Sequence, residues 1–151
     1  NLITLIQTVP PYWMPIVNMF KARVGDWTTE EGKKFLKERS PLTHAGKISR
    51  PLLIGQGAND PRVKQSESDQ IVKALQQKRI PVTYVVFPDE GHGFARPENS
   101  LAFWAVTEAF LSAYLGGTFQ PLDPGAFKGS SITVPEGARA VPQLEAALPR
   151  K

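Results

Sequence analysis

The sequence predicts an α/β fold in which parallel strands are joined by crossover helices. Two short apolar runs with the composition of strands, residues 51–55 and 82–87, alternate with two helical patterns, residues 63–79 and 98–115. The stretch between the two strands has room for one helix, which favours a right-handed βαβ crossover. A sheet of two strands leaves its edges bare, so further strands are expected.

The segment before the first strand indicates loops and short helices. The prolines at 10–11 exclude a regular helix at that point, and the apolar residues at 12–20 suggest a loop followed by a short helix. A further helix is expected after Thr29, because an N-cap residue is followed by the acidic pair Glu30–Glu31 and then by lysines. Pro41 marks the end of that helix.

The two strands and the helix between them follow in order. Residues 51–55 form an apolar run typical of a buried strand, and residues 56–60 form a glycine-containing turn after it. The helix at 63–79 is polar except for one apolar stripe that includes Ile71 and Leu75. The second strand, at 82–87, is rich in β-branched and aromatic residues.

The remaining sequence divides into a loop, a long helix and a tail. The helix at 98–115 is apolar on more than one face, which predicts packing on two sides. We expect residues 1–115 to form one unit and residues 116–151 to form a C-terminal tail rich in proline and glycine. Within that tail, residues 130–134 suggest a short strand or an extended arm.

Composition narrows the classes of function. The chain has no cysteine and two histidines far apart, so neither a metal site nor any other cofactor is expected. The net charge is +4, but basic residues alternate with acidic ones, which argues against nucleic-acid binding. No apolar run approaches the ~18 residues of a membrane span. Localisation stays open between cytoplasm and periplasm.

Two residues with catalytic chemistry follow the two predicted strands. Asp60 comes after the first strand and His92 after the second, and ligands bind beyond the carboxyl ends of parallel strands. An aspartate that accepts the imidazole Nδ1–H orients the ring and stabilises its cation, which is the supporting half of a Ser-His-Asp system. Gly91 and Gly93 would let the histidine loop turn sharply.

Alternative interpretations remain for each of these residues. Asp60 precedes a proline, so it also fits the N-cap of the next helix, and one aspartate can serve both roles. Asp89 and Glu90 compete with Asp60 as carboxylate partners, and a loop histidine such as His92 is often only a solvated turn residue. His44 has neither a glycine nor a strand end beside it and is interpreted as a structural loop residue.

Three ordered motifs carry a family resemblance. They are Ser-Pro-Leu-Thr-His-Ala at 40–45, Pro-Leu-Leu-Ile-Gly-Gln-Gly-Ala-Asn-Asp-Pro-Arg-Val at 51–63 and Phe-Pro-Asp-Glu-Gly-His-Gly-Phe at 87–94. In these motifs the chain resembles the prolyl oligopeptidase family of serine peptidases, in its bacterial dipeptidyl- and acylaminoacyl-peptidase-like branch. The resemblance implies that residues 1–115 are the C-terminal part of an α/β-hydrolase catalytic domain, and it continues more loosely through the tail.

The resemblance also implies roles for individual residues. The family's triad aspartate and histidine fall on Asp60 and His92. Arg62 falls where family members hold a substrate backbone carbonyl, although a surface ion pair is an equal alternative. Val63 is a candidate for the substrate pocket, as are the aromatic residues at 12–13, for which core packing is the simpler interpretation.

The nucleophile of the family is missing from the sequence. The family's serine lies in a Gly-x-Ser-x-Gly turn, and none of the serines here has glycine at both required positions. The order of the triad in this fold is Ser, Asp, His, so the nucleophile is expected upstream of Asn1. The chain is therefore expected to be a partial α/β-hydrolase fold without its nucleophile-bearing half, and to be inactive alone.

Three functions remain open at this point. The first is a serine peptidase fragment that acts on a peptide substrate together with the missing N-terminal segment. The second is an esterase or lipase-like hydrolase of the same fold. The third is a non-catalytic module that forms homo-oligomers through an exposed sheet edge.

Overall fold

A computed structural model describes residues 1–149 of the chain. Its regular elements are α1 (Leu2–Gln7), α2 (Val17–Arg23), α3 (Glu30–Arg39), β1 (Leu52–Gly57), α4 (Gln65–Gln77), β2 (Val82–Phe87), α5 (Pro97–Leu115), β3 (Thr133–Glu136) and α6 (Leu144–Ala147). Short 3-10 helices span Pro11–Ile16, Pro41–Lys47 and Ala138–Ala140.

The sheet has the parallel pair that the sequence predicts. Strands β1 and β2 run parallel, in register from Leu52 opposite Val82 to Gly57 opposite Phe87. The segment interpreted as a strand or an arm is a strand, since β3 pairs antiparallel with the other edge of β2. The order is therefore β1-β2-β3, and within residues 1–149 strand β1 has one unpaired edge.

Strand β2 separates two hydrophobic layers. All six of its residues are buried, and because successive side chains point to opposite faces, the five apolar ones divide between two clusters. Val82, Tyr84 and Val86 pack with α4, whereas Val85 and Phe87 pack with α5 and the segment after it. The result is a sheet covered by helices on both faces, as expected for parallel strands.

Helix α5 is buried on one side only. Ala102, Val106 and Ala109 face the sheet and are almost fully buried. The opposite side carries Trp104 and Leu115, which are 65% and 80% exposed. Packing on two sides, as expected from the sequence, is therefore not found within the described residues.

The segment after α5 folds back onto the core. The buried apolar residues there are Leu122, Phe127, Ile132, Val141, Leu144 and Ala147. They join the cluster on the α5 face of the sheet. Part of the proline- and glycine-rich segment thus contributes apolar packing to the same hydrophobic core as the strands.

The N-terminal third contains the expected breaks and caps. Helix α1 ends at Gln7, and the chain continues at the prolines with the 3-10 helix Pro11–Ile16 before α2. The Oγ1 of Thr29 accepts the Gly32 N–H at 3.0 Å, which confirms the predicted N-cap of α3. Among residues 1–149, no helix is both long enough and apolar enough to cross a bilayer.

Phe127→Ala tests whether the segment after α5 is part of the fold. Phe127 is 2% exposed, so its truncation should lower the free energy of unfolding by ~3–5 kcal/mol. The matched control is Leu115→Ala, which removes an exposed side chain and should change it by less than about 0.5 kcal/mol. Urea unfolding followed by circular dichroism measures both, and equal effects would mean that the segment is a tail.

Candidate active site

Asp60 lies in the loop that follows β1 and is held there by backbone hydrogen bonds. Strand β1 continues to Gly57, two residues beyond its predicted end. Asp60 is 7% exposed, and its Oδ1 accepts the N–H groups of Arg62 at 2.8 Å and Val63 at 2.9 Å. Helix α4 begins only at Gln65, so Asp60 caps a turn inside the loop and not the helix itself.

The second carboxylate oxygen of Asp60 binds His92. Its Oδ2 lies 2.8 Å from the Nδ1 of His92. An ionised carboxylate only accepts hydrogen bonds, so Nδ1 carries the proton and the Nε2 of a neutral ring is an acceptor. The His92 side chain is 46% exposed, and within residues 1–149 its Nε2 has no hydrogen-bond partner. The base is therefore oriented on one side and accessible on the other.

Burial and hydrogen bonding act in opposite directions on Asp60. Burial alone would raise the pKa of this carboxyl. The hydrogen bonds from the Val63 N–H, the His92 ring and the Arg62 N–H lower the pKa by more than burial raises it. The net result is an Asp60 pKa below its usual value. The carboxylate is therefore charged at neutral pH, as an acceptor for an imidazolium requires.

The aspartate loop and the histidine loop are joined directly. The Ala58 N–H donates to the Phe87 carbonyl at 3.0 Å, and the Asn59 N–H donates to the Glu90 carbonyl at 2.9 Å. The Asn59 side chain adds a bond from Nδ2 to the Pro88 carbonyl at 2.8 Å. The two loop tips are thus held side by side, as the parallel register of β1 and β2 predicts.

Gly57 permits this close approach. A Cβ at that position would lie 2.2 Å from the Gly91 carbonyl oxygen and 2.7 Å from that of Glu90, and both are backbone atoms. No side chain fits there without separating the two loops. Gly93 meets a different requirement, since its φ of +110° lies in the region that favours glycine.

The competing carboxylates do not bind His92. Glu90 is fully occupied by donors from the chain after the loop, including the Ala95 N–H at 2.8 Å. Asp89 contacts Arg96 and Ser131. Of the three candidate acids, only Asp60 is hydrogen-bonded to the imidazole in the part of the chain that the structure describes.

The other candidate residues have different positions. The backbone of Arg62 is fixed by Asp60, while its guanidinium is exposed and forms no ion pair within residues 1–149. Val63 is half-buried in the same turn. His44 Nε2 lies 2.6 Å from the Glu38 carbonyl oxygen, which is a local loop contact. The aromatic residues 12–13 pack edge-to-face on each other, and no hydrogen bond joins them to the His92–Asp60 pair.

The arrangement can transfer protons but lacks a nucleophile. No serine hydroxyl among residues 1–149 is hydrogen-bonded to His92. The described residues also contain no group of three histidine or carboxylate side chains that could hold a metal ion. The sequence suggested no role for Asn99, and it suggested Glu90 only as an alternative acid for the imidazole, not as an acceptor for the chain after the loop. A polar residue in the apolar pattern of α5 was the one available signal for Asn99.

Comparison with protein families supports these assignments of fold and class. The model of the prolyl oligopeptidase family matches residues 12–118. That range covers both strands, the loops that carry Asp60 and His92, and all of α5. The match therefore spans well over half of the chain.

Two curated relatives are similar over most of this chain. One is dipeptidyl aminopeptidase BIII of Pseudoxanthomonas mexicana, 65% identical over 148 residues, which are 98% of this chain and 21% of that protein. Another is dipeptidyl peptidase family member 6 of Caenorhabditis elegans, 49% identical over 136 residues, or 87% of this chain and 18% of that protein. The chain thus spans about a fifth of the length of the curated relatives it matches.

Two solved structures with a similar fold are described as enzymes that hydrolyse puromycin. The puromycin-hydrolyzing peptidase of Mycobacterium tuberculosis aligns with a TM-score of 0.66 and 28% identity, over 77% of this chain and 17% of its own. A puromycin hydrolase aligns with a TM-score of 0.55 and 27% identity, over 64% of this chain and 14% of its own. The predicted α/β-hydrolase fold and the resemblance noted in the motifs are confirmed.

Gly57→Ala tests the close approach of the two loops. We expect a loss of ~2–4 kcal/mol in the free energy of unfolding, because the new methyl group must displace two backbone carbonyls. Gly91→Ala is the matched control, since its Cβ would have no neighbour closer than 4.0 Å. Thermal unfolding of both variants is the measurement, and equal stability of the two would contradict the role assigned to Gly57.

Proposed function

This chain belongs to the prolyl oligopeptidase family, and we propose that it supplies the general base and its orienting acid to a serine peptidase. The observation that carries the proposal is the bond between Asp60 Oδ2 and His92 Nδ1 at 2.8 Å, with the Nε2 of the same ring exposed. The nucleophilic serine would come from outside these 151 residues, because the sequence contains no Gly-x-Ser-x-Gly turn.

In the proposed mechanism, His92 first accepts a proton from the serine hydroxyl and then donates it to the leaving group. Its Nε2 accepts the proton of the serine hydroxyl as the serine oxygen forms a bond to the carbonyl carbon of the substrate. The resulting imidazolium then gives that proton to the leaving amine nitrogen as the C–N bond breaks. Water repeats the sequence on the acyl-enzyme and releases the acid. Asp60 stays ionised throughout and stabilises the imidazolium through Nδ1–H.

Arg62 and Val63 are proposed substrate contacts. The turn that Asp60 closes also fixes the backbone of these two residues, so their positions relative to His92 depend on the same carboxylate. Within residues 1–149 the exposed Arg62 guanidinium forms no ion pair, so its N–H donors could bind a substrate carbonyl oxygen. Val63 would offer an apolar wall beside it.

Peptide bonds are the substrate class that the relatives favour. One relative is named a dipeptidyl aminopeptidase and another a dipeptidyl peptidase family member, and two similar structures are described as a puromycin-hydrolyzing peptidase and a puromycin hydrolase. Puromycin contains an amide between an amino acid and an amino sugar, so amide cleavage unites these descriptions. An aminoacyl or dipeptidyl anilide is therefore the appropriate first substrate, and an acyl ester is the appropriate comparison.

The 151-residue chain alone should not react with a fluorophosphonate. This reagent labels a serine only when a base and oxyanion donors activate it, and no serine here is hydrogen-bonded to His92 among the described residues. Intact mass of the treated chain measures labelling, and circular dichroism of the same sample shows that it is folded. An adduct on a serine of the folded chain would contradict the assignment of the nucleophile to another segment.

Asp60→Asn should abolish most of the catalysis in a protein that joins this chain to a nucleophile-bearing segment. We expect kcat on a dipeptidyl anilide to fall by roughly 10⁴-fold, because an amide in place of the carboxylate favours the wrong imidazole tautomer. KM should change far less. Asp123→Asn, at an exposed position, is the matched control and should leave kcat unchanged. A loss of less than about tenfold in the Asp60 variant would refute its role.

A further inference from the structure

Glu90 is the most deeply buried carboxylate near His92, and both of its oxygens are used. Its side chain is 2% exposed. Oε2 accepts the Ala95 N–H at 2.8 Å, while Oε1 accepts the Arg96 N–H at 2.9 Å and the Asn99 Nδ2–H at 2.7 Å. Burial removes water from the carboxylate, and the three hydrogen-bond donors compensate for that loss of hydration. The surrounding chain is therefore arranged to hold a charged carboxylate at this position.

These bonds tie together the two ends of the main-chain loop that carries His92. This closed loop begins at Glu90 and ends at residues 95–96, and His92 lies between Gly91 and Gly93, which form a β-bridge. The loop has two glycines and an exposed tip, so its own backbone restrains it weakly. The Glu90 carboxylate supplies the restraint by joining the two legs of the loop.

The backbone of Glu90 holds the opposite partner of the acid–base pair. Its carbonyl oxygen accepts the Asn59 N–H at 2.9 Å, one residue before Asp60. One residue therefore contacts the aspartate loop through its main chain and the far leg of the histidine loop through its side chain. Movement of Glu90 would change the distance between Asp60 and His92 from both sides.

Asn99 extends this support into the rest of the fold. It is 0% exposed, and its Nδ2 donates to Glu90 and, at 3.0 Å, to Asp89 Oδ1. Its Oδ1 accepts the Ser130 hydroxyl at 2.8 Å and the Ser131 N–H at 2.9 Å. Helix α5 and the segment before β3 thus hold the amide that orients Glu90.

From this geometry we propose that Glu90 is a positioning residue, which holds His92 at hydrogen-bonding distance from Asp60 by spanning the histidine loop. The proposal rests on the proposed function of the Asp60–His92 pair. It concerns the reach of the carboxylate as well as its charge. A glutamine keeps the length but offers one acceptor oxygen, and an aspartate keeps the charge but is one methylene too short to meet all three donors.

The test is nuclear magnetic resonance of the 151-residue chain labelled with ¹⁵N at histidine. The chain has only two histidines, so the Nδ1 proton of His92 is measured beside His44, which serves as an internal reference for a folded protein. Four variants are compared: Glu90→Gln, Glu90→Asp, Asp60→Asn and the matched control Glu98→Gln, whose exposed carboxylate lies 3.9 Å from the Nε of Arg96.

In the wild type and in Glu98→Gln, the His92 Nδ1 proton should exchange slowly with water and the ring should be the Nδ1–H tautomer. Both Glu90 variants should raise that exchange rate at least about tenfold, toward the rate in Asp60→Asn, with the His44 signals unchanged. Wild-type exchange in both variants would overturn the proposal, and so would restoration by Glu90→Asp alone. A wild type that already behaves like Asp60→Asn would refute the Asp60–His92 pair itself.

A measurement on the wild type decides the matter if neither Glu90 variant folds. The amide protons of Ala95 and Arg96 should exchange at a rate within about threefold of the His92 Nδ1 proton, because one opening event breaks all three bonds. Independent opening, with Nδ1 protected and the two amides exchanging freely, would overturn the proposal.

Discussion

The parallel register of β1 and β2 is the constraint on which the rest of the molecule depends. Because Gly57 lies opposite Phe87, both strands end at the same edge of the sheet. The loops that follow the two strands must therefore leave the sheet side by side. Three interloop hydrogen bonds and the absence of a side chain at Gly57 follow from this closeness. The strand ends thus bring the two loops together, and the 2.8 Å bond from Asp60 to His92 spans them.

Two buried carboxylates share the work at this edge in different ways. One oxygen of Asp60 accepts hydrogen bonds from its own turn and the other binds the imidazole. Both oxygens of Glu90 accept hydrogen bonds from the chain that follows the imidazole. For each carboxylate, burial alone would raise the pKa, but the hydrogen bonds it accepts lower the pKa by more, so the net pKa lies below the usual value. Two buried carboxylates at the same edge of a sheet can therefore have different roles, and the hydrogen-bond donors around each one decide its role.

Much of the fold and of the site was predictable because the signals are local. Short apolar runs located both strands, the apolar stripe located the helix between them, and the strand ends located Asp60 and His92. The sequence offered no comparable signal for Glu90, since its role depends on donors from Ala95 and Asn99 that only the folded loop brings together. The buried residues after α5 were missed for a related reason: proline and glycine obscure periodicity, and burial of Phe127 depends on tertiary contacts.

The unpaired edge of β1 has a consequence for work with the purified chain. No strand among residues 1–149 pairs with that edge, so its N–H and C=O groups form a template for another strand, and residues 52–57 carry no charge that would oppose such pairing. The net charge of +4 opposes such association by repulsion between molecules. That repulsion is long-ranged only at low ionic strength, so dilute buffers near neutral pH should preserve single molecules better than salt-rich or strongly alkaline ones.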